Sequence, residues 1–112
     1  MPARLPNADH AFVEPEKLAN YLLDADHPEG GPKWRFLKRF GFQIDQPDTL
    51  EASLLAYARQ NDFSFQISTP YGEKFEIDGP LVSPDGRLPT VRTVWIIDTG
   101  TDALRFVTMK PI

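Results

Sequence analysis

The sequence predicts an α+β fold in which three N-terminal helices pack on a four-stranded antiparallel β-meander. Apolar residues recur at helical spacing as far as about residue 60, and at every second position from about residue 63. Eleven prolines and seven glycines divide the chain into short elements joined by definite turns. The length of 112 residues and the 41% share of hydrophobic residues fit a single domain, 1–112, with one thin core.

The first helix is expected to begin at Pro15 and to continue through Lys17 to Leu23, because proline is well suited to the first position of a helix. Apolar residues then follow at i, i+3 and i+4, namely Leu18, Tyr21 and Leu22. The first 13 residues contain two prolines and have no periodicity. They are therefore expected to form an extended lead-in, with Phe12 and Val13 docking on the core.

Two further helices are expected before the period changes. One runs from about Pro32 to Phe40 and has Gly41 as its C-terminal stop. The other begins at Asp48 or the next residue, with the Asp48 side chain as N-cap, and ends near Gln60.

The second half of the chain alternates apolar and polar residues, as strands with one solvent-facing side do. Four strands are expected, at about 63–68, 74–81, 91–98 and 104–108. The third is the most apolar and is expected to be central in the sheet. In the first, Phe63, Phe65 and Ile67 form the apolar side. The short connections favour antiparallel neighbours.

The basic residues are unevenly distributed. The net charge is −4, yet four of the twelve basic residues lie within seven positions that contain no acid: Lys33, Arg35, Lys38 and Arg39. Arg35, Lys38 and Arg39 share one face of the predicted second helix and could bind phosphate oxygens. The alternative is that this face is the solvated side of an amphipathic helix.

The segment from His27 to Lys33 places an imidazole and an ammonium group on either side of two glycines at a helix start. Free backbone N–H groups there favour anions, and glycine lets a ligand approach the main chain closely. Histidine can act as general acid or base near neutral pH. The alternative is a loop whose glycines serve only turn geometry and whose histidine caps a neighbouring carbonyl. His10 is interpreted as a surface or packing residue.

The sequence gives little support to several classes of site. There is no cysteine, P-loop, dinucleotide-binding glycine pattern, HExxH or GxSxG. Glu76 and Asp78 lie on one side of a predicted strand near Arg92 and are expected to form cross-strand pairs, since no third metal ligand can be identified. We therefore expect no metal and no cofactor.

The longest apolar run, 94–97, is far shorter than the roughly 20 residues that span a bilayer. The N-terminus also lacks the apolar stretch of a signal peptide. The sequence therefore predicts a cytoplasmic protein without a membrane partner.

Several segments, from about residue 5 to 110, match in order those of an uncharacterised bacterial domain family. The segments that carry this resemblance are Leu5-Pro6-Asn7-Ala8-Asp9, Tyr21-Leu22-Leu23, His27-Pro28-Glu29-Gly30-Gly31 with Lys33 and Arg35, Thr69-Pro70-Tyr71-Gly72-Glu73-Lys74-Phe75, Gly79-Pro80-Leu81, Pro84-Asp85-Gly86-Arg87, Val91-Arg92-Thr93-Val94-Trp95 and Arg105-Phe106-Val107-Thr108. Such domains resemble those found alone beside small partner genes and at the C-termini of large polymorphic-toxin chains. The resemblance implies a toxin-like effector, a metal-independent ribonuclease of the barnase, colicin and RelE kind. Its implied partners are RNA and a small cognate antitoxin or immunity protein.

The resemblance, together with the basic helix face, defines the candidate site residues. The predicted catalytic residues are His27, Lys33, Arg92 and Thr108, and the predicted substrate-binding residues are Arg35, Lys38, Arg39 and Tyr71. His27 or Lys33 is expected within about 10 Å of Arg92 or Thr108, the reach that direct contacts to one phosphate require. The sequence departs from the family pattern at Trp34, where the indole is expected to crowd the site.

A second class of function stays open at this point. The domain could be a non-enzymatic module that binds a small partner protein through its basic helix and exposed aromatic residues. Cleavage of RNA in EDTA would distinguish the enzyme from the module.

Overall fold

A computed structural model of the chain describes residues 6–112, so Leu5 of the resemblance lies outside the described residues. Three helices precede a four-stranded antiparallel sheet in this part of the chain, which confirms the α+β class. The helices lie mid-chain: α1 (an α-helical turn, Pro15–Lys17, continued by a π-helical segment, Leu18–Leu22), α2 (Gly30–Lys38) and α3 (Pro47–Gln60). The strands are β1 (Phe65–Thr69), β2 (Gly72–Pro80), β3 (Thr90–Asp98) and β4 (Leu104–Pro111), in the spatial order β1-β2-β3-β4.

The start of α2 differs from the prediction by two residues. The helix begins at Gly30 and not at Pro32, because the amide of Gly31 donates to the carbonyl of His27 at 2.8 Å and closes the first turn. Proline at 32 is tolerated since the N–H groups of a first turn have no intrahelical partner. Gly41 follows the helix with φ +96°, a left-handed conformation suited to glycine, as the predicted stop requires.

The predicted N-cap of α3 is wrong. The helix begins at Pro47, so Asp48 lies inside the first turn, and Gln46 is the N-cap without a side-chain hydrogen bond. Proline at the first position has a fixed φ that suits the helix, which explains the earlier start.

The core lies between the helices and the sheet face that carries Phe75, Trp95 and Phe106, each 1% exposed or less. Tyr57 of α3 donates from its buried hydroxyl to the carbonyls of Ile77 and Val91, at 2.8 and 3.0 Å. The same burial raises the pKa of Tyr57 to about 12. α3 is thereby attached to both central strands of the sheet.

The expected apolar side of β1 is not part of the core. Phe63 packs on Phe75 with ring centroids 5.1 Å apart, but Phe65 and Ile67 are 49% and 47% exposed. Their partners on β2 are Glu76 and Lys74, which alternate with the buried Phe75 and therefore point to the other sheet face. The alternation is interrupted at Ser64. The amide of Ser64 donates to the carbonyl of Glu76, although Glu76 already faces Phe65 in the pairing of the two strands. The shift turns the strand's apolar residues outward.

Candidate active site

A cavity of about 390 Å³ lies where α1 and α2 meet the edge strand β4. Its lining combines two lysines with a tyrosine, a histidine and a threonine: Lys17, Tyr21, His27, Glu29, Lys33, Val107 and Thr108. These residues come from four parts of the chain, namely both helices, the loop between them and β4. The polar side chains converge although the domain as a whole is acidic.

Three polar atoms form a closed triangle on the cavity wall. Lys33 Nζ donates to the hydroxyl oxygens of Tyr21 and Thr108, at 2.5 and 2.6 Å. The two hydroxyl oxygens lie 2.7 Å apart, and either can donate to the other. An ammonium group has three N–H donors and two hydroxyls have two O–H donors. Three of these five donors are used within the triangle, so one N–H and one O–H are left to bind another acceptor.

The aromatic ring of Tyr21 lies between two cations. The Nζ atoms of Lys17 and Lys33 are each 5.0 Å from the ring centroid, within the range of cation–π attraction. Tyr21 is only 9% exposed, so both ammonium groups contact a ring that is largely removed from solvent. The cavity lining contains two lysines and one carboxylate, that of Glu29. The excess of positive charge favours binding of an anion.

His27 binds the backbone at the start of α2. Its Nδ1 accepts hydrogen bonds from the amides of Glu29 and Gly30, at 3.0 and 2.9 Å. The imidazole also packs edge-on against Tyr21, with centroids 5.1 Å apart. Because Nδ1 is an acceptor, the proton of the neutral ring is on Nε2. The two amides bind the imidazole and so are not available to a ligand, while Nε2–H is a further donor.

The glycines at the start of α2 let the two helices approach closely. A Cβ at Gly30 would lie 2.0 Å from the carbonyl oxygen of Tyr21, and one at Gly31 would lie 2.6 Å from that of Ala25. Both distances are far below van der Waals contact. The close approach brings Lys33, three residues beyond Gly30, against the hydroxyl of Tyr21. The glycines therefore serve packing, a role that the sequence analysis does not predict for them.

Comparison with known proteins gives a family and a fold. Residues 4–112, nearly the whole chain, match the domain of unknown function DUF6883. The chain belongs to this family. Among curated proteins no match was found. The fold is similar to that of a chain in a contact-dependent growth inhibition toxin–immunity protein complex from Klebsiella pneumoniae 342, with a TM-score of 0.68 and 14% sequence identity over 96% of this chain and 97% of that chain. At this identity the likeness concerns the fold alone.

Three of the predicted catalytic residues of this DUF6883 domain line one cavity, and one does not. Lys33 contacts Thr108 directly and His27 lies on the same wall. Arg92 is bound on the sheet by Asp78 through two hydrogen bonds of 2.7 and 2.9 Å, with Glu76 at 3.8 Å. These bonds to Arg92 hold the pKa of Asp78 below its ordinary value. Two carboxylates thus neutralise the guanidinium of Arg92.

The predicted substrate-binding residues lie outside the cavity. Tyr71 is 79% exposed in the turn between β1 and β2. Arg35, Lys38 and Arg39 are exposed along the end of α2, and within residues 6–112 no carboxylate forms an ion pair with them. Lys38 also lines a separate groove of about 520 Å³ beside the loop that follows α2.

The indole of Trp34 does not crowd the cavity of the DUF6883 domain. Trp34 is 8% exposed, belongs to the hydrophobic core and is absent from the residues that line the cavity. The indole therefore packs in the core and leaves the polar wall open.

Sequence reasoning missed Tyr21 and Lys17. Tyr21 was expected only as part of the apolar stripe of the first helix, and its hydroxyl is the signal that could have indicated more. A buried tyrosine needs a hydrogen-bond partner for its hydroxyl, so a tyrosine among leucines indicates a polar contact nearby. Lys17, one helical turn earlier, lies on the same side of α1.

In residues 6–112 no group of three or more histidine, cysteine, aspartate or glutamate side chains is placed to hold a metal ion. None of the helices in this described part of the chain is long and apolar enough to cross a bilayer.

Proposed function

We propose that this DUF6883 domain is a toxin-like effector that cleaves RNA without a metal ion, at the cavity beside β4. The observation that carries the proposal is the triangle of Lys33, Tyr21 and Thr108, which leaves hydrogen-bond donors free at a positively charged wall. The fold similarity to a chain from a toxin–immunity protein complex supports the effector class.

The proposed reaction needs no group from outside the RNA and the protein. The 2′-oxygen of a ribose attacks the adjacent phosphorus and the bond from phosphorus to the 5′-oxygen breaks. The proton of the 2′-hydroxyl passes through the hydroxyls of Tyr21 and Thr108 to the departing 5′-oxygen, so the products are a 2′,3′-cyclic phosphate and a 5′-hydroxyl. The transition state carries more negative charge on the phosphate oxygens than the substrate does. Donors placed at these oxygens accelerate the step.

Lys33 is the proposed donor to the non-bridging phosphate oxygens, through the N–H that the triangle leaves free. Lys17 adds a second positive charge within the same cavity. The hydroxyls of Tyr21 and Thr108 are the proposed proton relay, because each can donate to the other across 2.7 Å.

His27 is proposed as a hydrogen-bond donor and not as the general base. A base at Nε2 would need the proton on Nδ1, and that tautomer would break the hydrogen bonds from Glu29 and Gly30. Nε2–H can instead donate to a phosphate oxygen. Arg92 is assigned no part in the reaction since Asp78 and Glu76 hold it, and Tyr71 is assigned none.

The proposed RNA contacts outside the cavity lie on the basic face of α2. Arg35, Lys38 and Arg39 have no acidic partner within residues 6–112 and are the proposed contacts to the RNA backbone. The proposed protein partner is a small immunity protein that covers the same positive surface. An acidic partner surface would complement it and exclude RNA.

The test is incubation of the purified domain with total RNA in EDTA, followed by a denaturing gel. Fragments whose 5′ ends accept label from polynucleotide kinase without prior phosphatase treatment carry the expected 5′-hydroxyl. Lys33→Gln should abolish cleavage, whereas Lys38→Gln on the same helix should retain it. Intact RNA at high protein concentration would overturn the proposal.

The alternative function, a non-enzymatic protein-binding module, is favoured by one observation. Phe65 and Ile67 expose apolar surface on a sheet face that no described element covers, as interaction surfaces often do. Intact RNA in the gel assay, together with a folded protein, would favour the module.

A further inference from the structure

The two edges of the sheet are protected unequally. At the β4 edge, Phe12 forms a parallel bridge with Arg105, the strand is irregular opposite Val94 and Trp95, and it ends in Lys110 and Pro111. Bridging segments, bulges, lysine and proline all prevent a second chain from pairing with an edge.

β1, at the other edge, has none of these protections among the residues that the structure describes. Its five residues, Phe65–Thr69, include no charge, proline or glycine, and its first four are exposed. An exposed edge strand with large apolar side chains tends to pair with another strand. The strand contributes no buried side chain to its own core, so Phe65 and Ile67 are available to a partner.

We propose that β1 pairs with β1 of a second copy of this chain, antiparallel and centred on Ile67, to give a continuous eight-stranded sheet. In this register Ile67 faces its own symmetry mate, Phe65 faces Thr69, and Gln66 faces Ser68. Apolar and methyl-bearing side chains meet on one sheet face, polar side chains meet on the other, and no like charges within β1 face each other.

The second copy is favoured over open-ended association because, within residues 6–112, the edge at β1 is the only unprotected one. An isologous pair uses both free β1 edges and leaves only the protected β4 edges outside, so growth stops at the dimer. Each strand is only about 17 Å long, so the buried area is below that of a stable interface and the dimer should be weak. The pairing is independent of the proposed ribonuclease activity, since the cavity lies at β4.

A cysteine scan tests the register directly because the chain contains no native cysteine. Facing residues on an antiparallel pair have Cα atoms about 4.5–5.5 Å apart, within the range that a disulfide spans. Under mild oxidation, Ile67→Cys should form a disulfide-linked dimer in high yield. Phe65→Cys should not, because residue 65 and its mate are offset by four residues, about 13 Å.

Ile44→Cys is the matched control, since Ile44 is 53% exposed in a loop away from the sheet. Equal cross-linking of the three variants would show random collision and overturn the proposal. In sedimentation equilibrium the unmodified chain should approach twice its mass of 12.7 kDa at high concentration, and Ile67→Lys should stay monomeric with an unchanged circular dichroism spectrum. A strictly monomeric chain at millimolar concentration, or dimerisation that persists in Ile67→Lys, would also overturn it.

Discussion

The hydroxyl of Tyr21 connects structure and proposed chemistry at a single atom. It lies on a nearly buried side chain, bonds to Lys33 and Thr108, and faces a cavity. A purely structural tyrosine would only need one partner, as its satisfied hydroxyl is enough for burial. The Tyr21 hydroxyl has two partners, and one of them is the ammonium group of Lys33. This arrangement indicates a site that positions a positive charge.

Tyr21→Phe should reduce RNA cleavage at least tenfold and leave the fold intact, because it removes only the relay oxygen. The loss of its two hydrogen bonds should lower the free energy of unfolding by roughly 1–3 kcal/mol. Initial rates of cleavage and urea unfolding of the same preparation measure the two effects. Tyr71→Phe, which removes a hydroxyl outside the cavity, is the control, and an equal rate in both variants would contradict the role of Tyr21.

Gly30→Ala should destabilise the domain by roughly 1–3 kcal/mol, because the added Cβ would overlap the Tyr21 carbonyl and push α2 away from α1. Urea unfolding checks this, with the neighbouring exposed Glu29→Ala as control. A helix normally gains from this substitution. Unchanged or raised stability would therefore show that the close approach of the helices is not required.

At the scale of elements, the proposed role of α2 in RNA binding has an electrostatic signature. The double variant Lys38→Glu, Arg39→Glu should weaken RNA binding strongly at low salt, and the slope of log affinity against log salt should fall by about one for each lost phosphate contact. The melting temperature should change little, since both side chains are exposed.

Filter binding of single-stranded RNA over a salt series checks the prediction. Both the parent chain and the double variant carry Lys33→Gln in this assay, so that cleavage does not interfere. Binding that is independent of salt would contradict a role for this face. The matched control is Lys74→Glu, which reverses a charge on β2.

The contact between β3 and β4 should depend on pH through Asp98. Arg105 donates two hydrogen bonds to Asp98, at 2.9 Å each, and reaches Glu14 at 3.3 Å. The bonds hold the pKa of Asp98 below its ordinary value of 3.8. A lowered pKa in the folded state means that the stabilisation is complete above the unfolded pKa and is lost as pH falls through the folded one.

Asp98→Asn should therefore reduce the free energy of unfolding at about pH 6, and the difference from the parent should shrink by about pH 2.5. Urea unfolding at both pH values measures it, and Asp45→Asn in the loop after α2 is the control. A difference that does not depend on pH would contradict the ion pair.

The sequence predicted the positions of the helices and strands better than it predicted which side of each element faces the core. The change of period located the boundary between helices and strands, and Gly41 marked the end of α2. It could not predict the exposure of Phe65 and Ile67, because a single irregular residue before a strand reverses which side faces the core. It could not show that Tyr21 completes the cavity, since the π-helical turn and the packing of Gly30 that place the hydroxyl depend on tertiary contacts.

At the scale of the whole molecule, the cavity and the unprotected strand β1 lie at opposite edges of one sheet. The first carries the polar and charged groups of the proposed reaction, and the second carries exposed apolar surface. Arg92, on β3 between these edges, pairs with carboxylates of the same sheet and helps to hold it together. A single fold thus separates the proposed chemistry from the proposed self-association.

The initial rate of RNA cleavage in EDTA by Lys33→Gln, compared with Lys38→Gln at equal folded concentration, tests the central claim most directly. Both variants remove one positive charge from α2, but only Lys33 reaches the hydroxyls of Tyr21 and Thr108. We expect Lys33→Gln to lose at least a hundredfold in rate, as removal of a transition-state donor does, and Lys38→Gln to lose only a few-fold. Equal rates in the two variants, or no cleavage by the unmodified domain, would contradict it.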